Sequence, residues 1–144
     1  QRNPEHADAL NYMGYTLTTQ GIRLEEAEKM LRKALKISPG SGYIQDSWGW
    51  HLLVRGKIQD AVIELEKAVR LRPKEPAILT HLGDAYLKSN LREKALNQYE
   101  KALALAGEGQ TREQLLEKID TLKKELAQSR GLDFSEKARI PANQ

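Results

Sequence analysis

Residues 47–51 read Ser47-Trp48-Gly49-Trp50-His51 and hold both tryptophans of the 144-residue chain. Glycine inside a helix costs about 1 kcal/mol relative to alanine, so a glycine placed here needs a structural return. Gly49 is also not alone. Gly14 lies 35 residues before it and Gly83 lies 34 residues after it. Ala27, Ala61 and Ala95 recur in steps of 34, as do Ala34, Ala68 and Ala102, while Pro4, Pro39 and Pro73 recur at 35 and 34. A fixed period of this length marks an array of repeats. Gly14 to Ala27 is one residue longer than Gly49 to Ala61, which places the added residue in the turn Gln20-Gly21-Ile22-Arg23-Leu24.

Within each period the apolar residues recur at spacings of three and four, one face per helix. Leu10, Met13 and Leu17 are followed by Leu24, Ala27, Leu31, Ala34 and Leu35. Trp48 and Leu52 are followed by Ile58, Ala61, Leu65, Ala68 and Val69. Leu79, Leu82 and Tyr86 are followed by Leu91, Ala95, Tyr99, Ala102 and Leu103. Gly21, Pro39-Gly40, Gly56, Pro73 and Asn90 punctuate these runs. The pattern predicts an all-α chain of helix-turn-helix units. The three glycines are expected to lie against the small alanines of the second helices, so Gly49→Leu is expected to exceed the usual overpacking cost of ~1–3 kcal/mol.

These residues resemble tetratricopeptide repeats. Leu10-x-x-Met13-Gly14-x-x-Leu17, Trp48-Gly49-x-x-Leu52 and Leu79-x-x-Leu82-Gly83-x-x-Tyr86 carry the first-helix pattern, and the alanines with Pro39 and Pro73 carry the second. Gln45 departs from the pattern in the second repeat, and Gly107 stands where the third should close with proline. The resemblance implies a right-handed α-α superhelix, with repeats at residues 7–41, 42–75 and 76–109. Residues 1–6 read as the end of a preceding repeat, because Pro4 has the phase of Pro39 and Pro73, and the array is expected to continue upstream. Thr111-Arg112-Glu113-Gln114 reads as a capping box opening a capping helix over 110–128, with Leu115, Ile119, Leu122 and Leu126 on one stripe. Residues 129–144 are expected to form a tail with at most a short helical turn, docking through Leu132, Phe134 and Ile140 on the array or on a neighbouring copy.

Charged residues make up 30% of the chain and the net charge is +3, with acidic residues interspersed throughout. No Lys/Arg block of the nucleic-acid-binding kind is present, and no nucleic-acid partner is expected. The chain has no cysteine, which excludes disulfides and thiolate metal sites. No apolar run approaches the ~18 residues of a membrane span. His6, His51 and His81 lack the helical spacing of a metal pair, and Gly40-Ser41-Gly42 and Gly107-Glu108-Gly109 lack the residues of a phosphate loop. Neither an enzyme, a metal nor a cofactor is indicated.

The resemblance implies a concave groove lined by first helices. By phase it faces Asp8, Asn11, Tyr15, Thr18 and Thr19 from the first repeat. The second supplies Tyr43, Asp46, Trp50, Leu53 and Val54, and the third Ala77, Thr80, Asp84, Leu87 and Lys88. On this reading Tyr15, Tyr43, Trp50 and Leu53 form an aromatic-apolar centre flanked by Asp8, Asp46 and Asp84. Trp48 faces the core and Trp50 the groove. A protein or peptide segment with apolar anchors and Lys or Arg is the expected partner, held by a non-enzymatic scaffold or adaptor. The alternative is a structural module that self-associates through groove, cap or tail. Some family members hold a C-terminal carboxylate with two Lys, two Asn and one Arg. The corresponding residues here are Asn11, Tyr15, Ser47, Ala77 and His81, so that mode is not expected. The spelling of the first repeat is similar to bacterial repeat proteins, several of them envelope lipoproteins, which implies bacterial cytoplasm or periplasm.

Overall fold

A computed structural model describes the backbone of residues 3–139 and the side chains of residues 3–131. The described residues form α1 (Pro4–Gln20), α2 (Leu24–Ile37), α3 (Gly42–Val54), α4 (Ile58–Leu71), α5 (Pro76–Lys88), α6 (Arg92–Leu105) and α7 (Gln110–Arg139). Helices pair as α1–α2, α3–α4 and α5–α6, each first helix also packing on the next one, with α7 against α6. This is the array of helical hairpins that the period predicts.

The turns within hairpins are built alike. Gly21, Gly56 and Asn90 each lie seven residues after the helix glycine and adopt positive φ of 71°, 82° and 63°. The added residue of the first repeat follows Gly21, where Arg23 also takes a positive φ of 50°. Between hairpins, Ser41 caps α3 by accepting from the Ile44 amide at 3.3 Å, and Pro76 opens α5 at a position where no intrahelical N–H is needed.

The glycine contacts differ from the expectation. A Cβ on Gly14 would stand 2.7 Å from Leu31 Cγ, one on Gly49 2.6 Å from Leu65 Cγ, and one on Gly83 2.5 Å from Tyr99 Cε1. The glycines thus make room chiefly for the bulky residue of the second helix; of the alanines only Ala27 comes near, its carbonyl oxygen 3.3 Å from a Cβ on Gly14. Ala27, Ala34, Ala61, Ala68, Ala95 and Ala102 are fully buried elsewhere along the same helices.

One core runs from Leu31 through Trp48, Leu65, Leu82 and Tyr99 to Leu115, Ile119 and Leu122 of α7. Met13, expected inside, is 49% exposed, whereas its counterparts Trp48 and Leu82 are buried. Those two lie under α2 and α4, which pack on α3 and α5; among the described residues no helix occupies that place beside α1. Leu91, also expected in the stripe, is exposed because it precedes α6. Gln45 is buried and donates its amide to the Glu64 carboxylate, so polar pairing replaces the missing apolar contact.

Both ends depart from the expected boundaries. α1 begins at Pro4, capped by Asn3, whose side chain accepts from the His6 amide, so residues 4–6 belong to the first helix. α7 begins at Gln110, with the Glu113 amide donating to the Gly109 carbonyl, which puts Thr111 inside the first turn. The helix also continues beyond residue 128 to Arg139; Ser129-Arg130-Gly131 does not interrupt it. The expected docking of Leu132, Phe134 and Ile140 lies outside the described side chains.

Candidate functional site: the concave face

The first helices present residues of like phase to one face. Tyr15, Trp50 and Asp84 occupy the same position of successive repeats, and Lys118 follows 34 residues after Asp84. α7 therefore extends the concave face by a fourth first-helix-like element. Sequence reading stopped the period at residue 109 and missed Lys118; carrying the step of 34 once more would have found it.

Trp50 is half-buried and joins three repeats. Its indole N–H donates to Thr19 Oγ1 of α1 at 3.3 Å. Its ring stacks on His81 of α5, with centroids 4.5 Å apart and planes at 23°. Tyr15 leans on the other side of this cluster, 6.2 Å from the His81 centroid. His81 Nδ1–H donates to both carboxylate oxygens of Asp46, at 2.8 and 3.0 Å. Burial opposes the charged imidazole, but the Asp46 hydrogen bond and charge, with Asp84, outweigh it and raise the pKa.

Beyond Trp50 the groove opens into a cleft of about 310 Å³ lined by Trp50, Leu53, Val54, Asp84, Leu87, Lys88 and Lys118. Asp84 accepts from the Tyr99 hydroxyl at 2.5 Å and from Lys118 Nζ at 3.1 Å. Burial, with this hydrogen bond, pushes the Tyr99 pKa up, so the phenol remains a donor. A second cleft of about 540 Å³ shares Leu87 and Lys118 and continues along α7 past Glu117, Thr121 and Glu125.

The predicted groove residues do not form one set. Tyr15, Asp46, Trp50, Leu53 and Asp84 come together around the cluster and the first cleft. Asp8 is exposed, and Asn11 is half-buried with its amide oxygen shut off from solvent and without a hydrogen-bond partner. Tyr43 is 44% exposed but stands apart: its hydroxyl donates to Glu75 at 2.8 Å and the Arg72 guanidinium lies 4.5 Å over its ring. The Thr80 hydroxyl donates to the Pro76 carbonyl in its own helix. Thr18 does not face the groove. It is fully buried and shares a hydrogen bond of 2.9 Å with His51 Nδ1.

Two of the three aspartates are therefore engaged inside the molecule, Asp46 by His81 and Asp84 by Tyr99 and Lys118. Acidic attraction for a basic partner falls to Asp8 alone among them. His51, a residue to which sequence reading gave no role, is fully buried, stacked on Trp48 with centroids 5.8 Å apart and Nε2 3.5 Å from Glu28 Oε1. Its pKa is lowered, chiefly by burial, against the pull of Glu28. Among the described residues no three His, Cys, Asp or Glu side chains cluster to hold a metal, and no helix is long and apolar enough to cross a membrane.

Three helical hairpins, a closing helix and a continuous concave face define a repeat solenoid. The chain belongs to the tetratricopeptide repeat family, whose models match residues 7–41 and 47–110. It is 39% identical over 83 residues to a TPR repeat-containing protein of Pseudomonas aeruginosa; the match covers 58% of this chain and 14% of that protein. The fold is similar to the first TPR domain of Spaghetti (RPAP3) bound to an HSP90 peptide, at TM-score 0.75 and 19% identity, over 88% of this chain and 97% of that one. It is also similar to the Sgt2 TPR domain of Aspergillus fumigatus, at TM-score 0.77 and 20% identity, over 90% and 83%. The secretion translocator chaperone SycD of Yersinia enterocolitica matches at TM-score 0.77 and 13% identity, over 88% and 90%. Tetratricopeptide repeat domains are generally non-enzymatic interaction modules.

Proposed function

We propose that this chain is a protein-interaction module that holds an extended or helical segment of a partner on its concave face. The observation that carries the reading is the Trp50 cleft: an indole with Val54, 39% exposed, and Leu87, 38% exposed, facing one open depression over the buried Leu53. Exposed apolar atoms gathered in a concavity, with an aromatic wall, are what anchor residues of a partner fill. The tight orientation of Trp50 by Thr19 and His81 favours binding further, because a side chain already held in place loses little freedom on contact. The Spaghetti domain holds its peptide on the same fold. The positions that would hold a terminal carboxylate carry no Lys or Arg here, Ser47 is buried and His81 is committed to Asp46. The reading therefore rests on apolar anchoring.

Selection from a displayed random-peptide library tests it. Wild type is expected to enrich peptides that neither Trp50→Ala nor Leu87→Gln retains, Leu87→Gln serving as the variant that leaves the core untouched. Enriched peptides that bind both variants as well as wild type would refute a site at this cleft.

A further inference from the structure

The chemistry of the cleft specifies more than an apolar anchor. Its floor is apolar, from Trp50, Leu53, Val54 and Leu87, while its charged groups are Lys88, Lys118 and Asp84. Asp84 is already bonded twice, to the Tyr99 hydroxyl and to Lys118. Lys88, at the C-terminal end of α5, has no carboxylate within ion-pair distance among the described residues. Two cations against one anion leave the rim positive. Lys118 is not an outer-face lysine: it stands at the groove phase of Tyr15, Trp50 and Asp84, and Asp84 and the face of Tyr99 hold it there, 5.6 Å from the ring centroid.

We infer that the cleft takes a segment of another protein in which a bulky apolar side chain is flanked, within two residues, by an aspartate or glutamate that meets Lys88 and Lys118. This deepens the proposed function and rests on it. A volume of about 310 Å³ accommodates one large side chain, not a folded element. The carboxylate comes from a side chain within the segment, because the cleft continues past Lys118 and leaves the partner chain room to run on. One end meets the Tyr15–His81–Trp50 cluster. The other runs into the second cleft through the shared Leu87 and Lys118, so the partner chain passes through instead of stopping. Glu117 and Glu125 line that second cleft, and Glu125 is paired with Arg92 at 3.4 Å. The acidic residue of the partner is thereby confined to the α5 side of Lys118. This charge order is the reverse of the basic partner suggested by Asp8, Asp46 and Asp84 as a row.

The test uses the full chain and peptides selected on it. Peptides lost in Trp50→Ala are synthesised with amidated C-termini and titrated against wild type and Lys88→Glu. Lys88 is exposed, so the melting temperature of Lys88→Glu serves as the folding control. The expected result is an acidic residue within two positions of the anchor and a loss of about tenfold in Lys88→Glu, shrinking as salt screens it. Replacing the peptide's acidic residue with lysine should restore affinity to Lys88→Glu. Trp50-dependent peptides that bind Lys88→Glu within twofold of wild type would overturn the inference and leave the groove reading standing. Binding abolished by amidation would also overturn it, assigning the carboxylate to a chain end. No Trp50-dependent peptide at all would overturn both.

Discussion

Gly49 offers the sharpest test of the packing. Replacing it with alanine has two opposed effects. Alanine in a helix interior is favoured by about 1 kcal/mol. The new Cβ would sit 2.6 and 2.8 Å from Leu65 Cγ and Cδ2 and 3.2 Å from the Leu65 amide nitrogen. Leu65 is fully buried, so its side chain has little room to yield, and overpacking of this kind costs ~1–3 kcal/mol. Gly49→Ala should therefore be destabilising by about 0–2 kcal/mol, and Gly49→Leu by more. Leu65→Ala alone should cost ~2–5 kcal/mol as a cavity, but in that background the clash with the leucine side chain is gone. Gly49→Ala should then become neutral or stabilising. A double-mutant cycle by urea denaturation, followed by circular dichroism, reads the difference as a coupling of ~1–3 kcal/mol, well above the ~0.3–0.5 expected of independent sites. If Gly49→Ala changes stability equally in both backgrounds, the glycine does not exist to admit Leu65, and the packing account is wrong.

His81 and His51 carry predictions of opposite sign. Asp46 holds the His81 pKa above its ordinary value; stability from this pair is fully present below the unfolded-state pKa and is lost as pH rises through the raised folded value. Asp46→Asn should lower the His81 pKa, read by NMR titration of its ring protons, and an unchanged titration would remove Asp46 as the cause. His51 is held below its ordinary value by burial, so the unfolded chain binds the proton first and the fold loses stability as pH falls below about 6.5. His51→Gln should flatten that acid-side loss in melts taken between pH 7.5 and 5.5; an unaltered pH slope would contradict it.

How far the sequence could be read follows from what sets each feature. The hairpins were legible because a period of 34 marks glycines, alanines and turn residues together, and each answers to a local requirement of helix or turn. The inward phase of Trp48 and the groove phase of Trp50 were legible for the same reason: two positions on a helix are about 200° apart. What lies opposite a residue was less so. The period names Gly49 but not whether an alanine or Leu65 fills the space beside it. It assigned Asp46 and Asp84 to the groove without revealing that His81, Tyr99 and Lys118 already bind them, since those partners come from other helices. Met13 has the core pattern, yet its burial depends on a neighbouring helix and not on its own spelling. Thr18 and Leu53 share a phase with Leu87. The first two are buried, Thr18 against His51 of the following first helix, whereas Leu87 is 38% exposed. Lys118 was hidden because the alanine-and-proline pattern ends before α7 while the groove phase does not.

The central claim is that partner segments seat against Trp50, and tryptophan emission reports it directly. In Trp48→Phe the remaining indole is Trp50; in Trp50→Phe it is Trp48, which is only 9% exposed and stacked on His51. Titrating a selected peptide whose binding is established by calorimetry should give a saturable emission change in Trp48→Phe, with the calorimetric affinity. A flat signal from Trp48→Phe while calorimetry records binding would place the partner elsewhere and contradict the account.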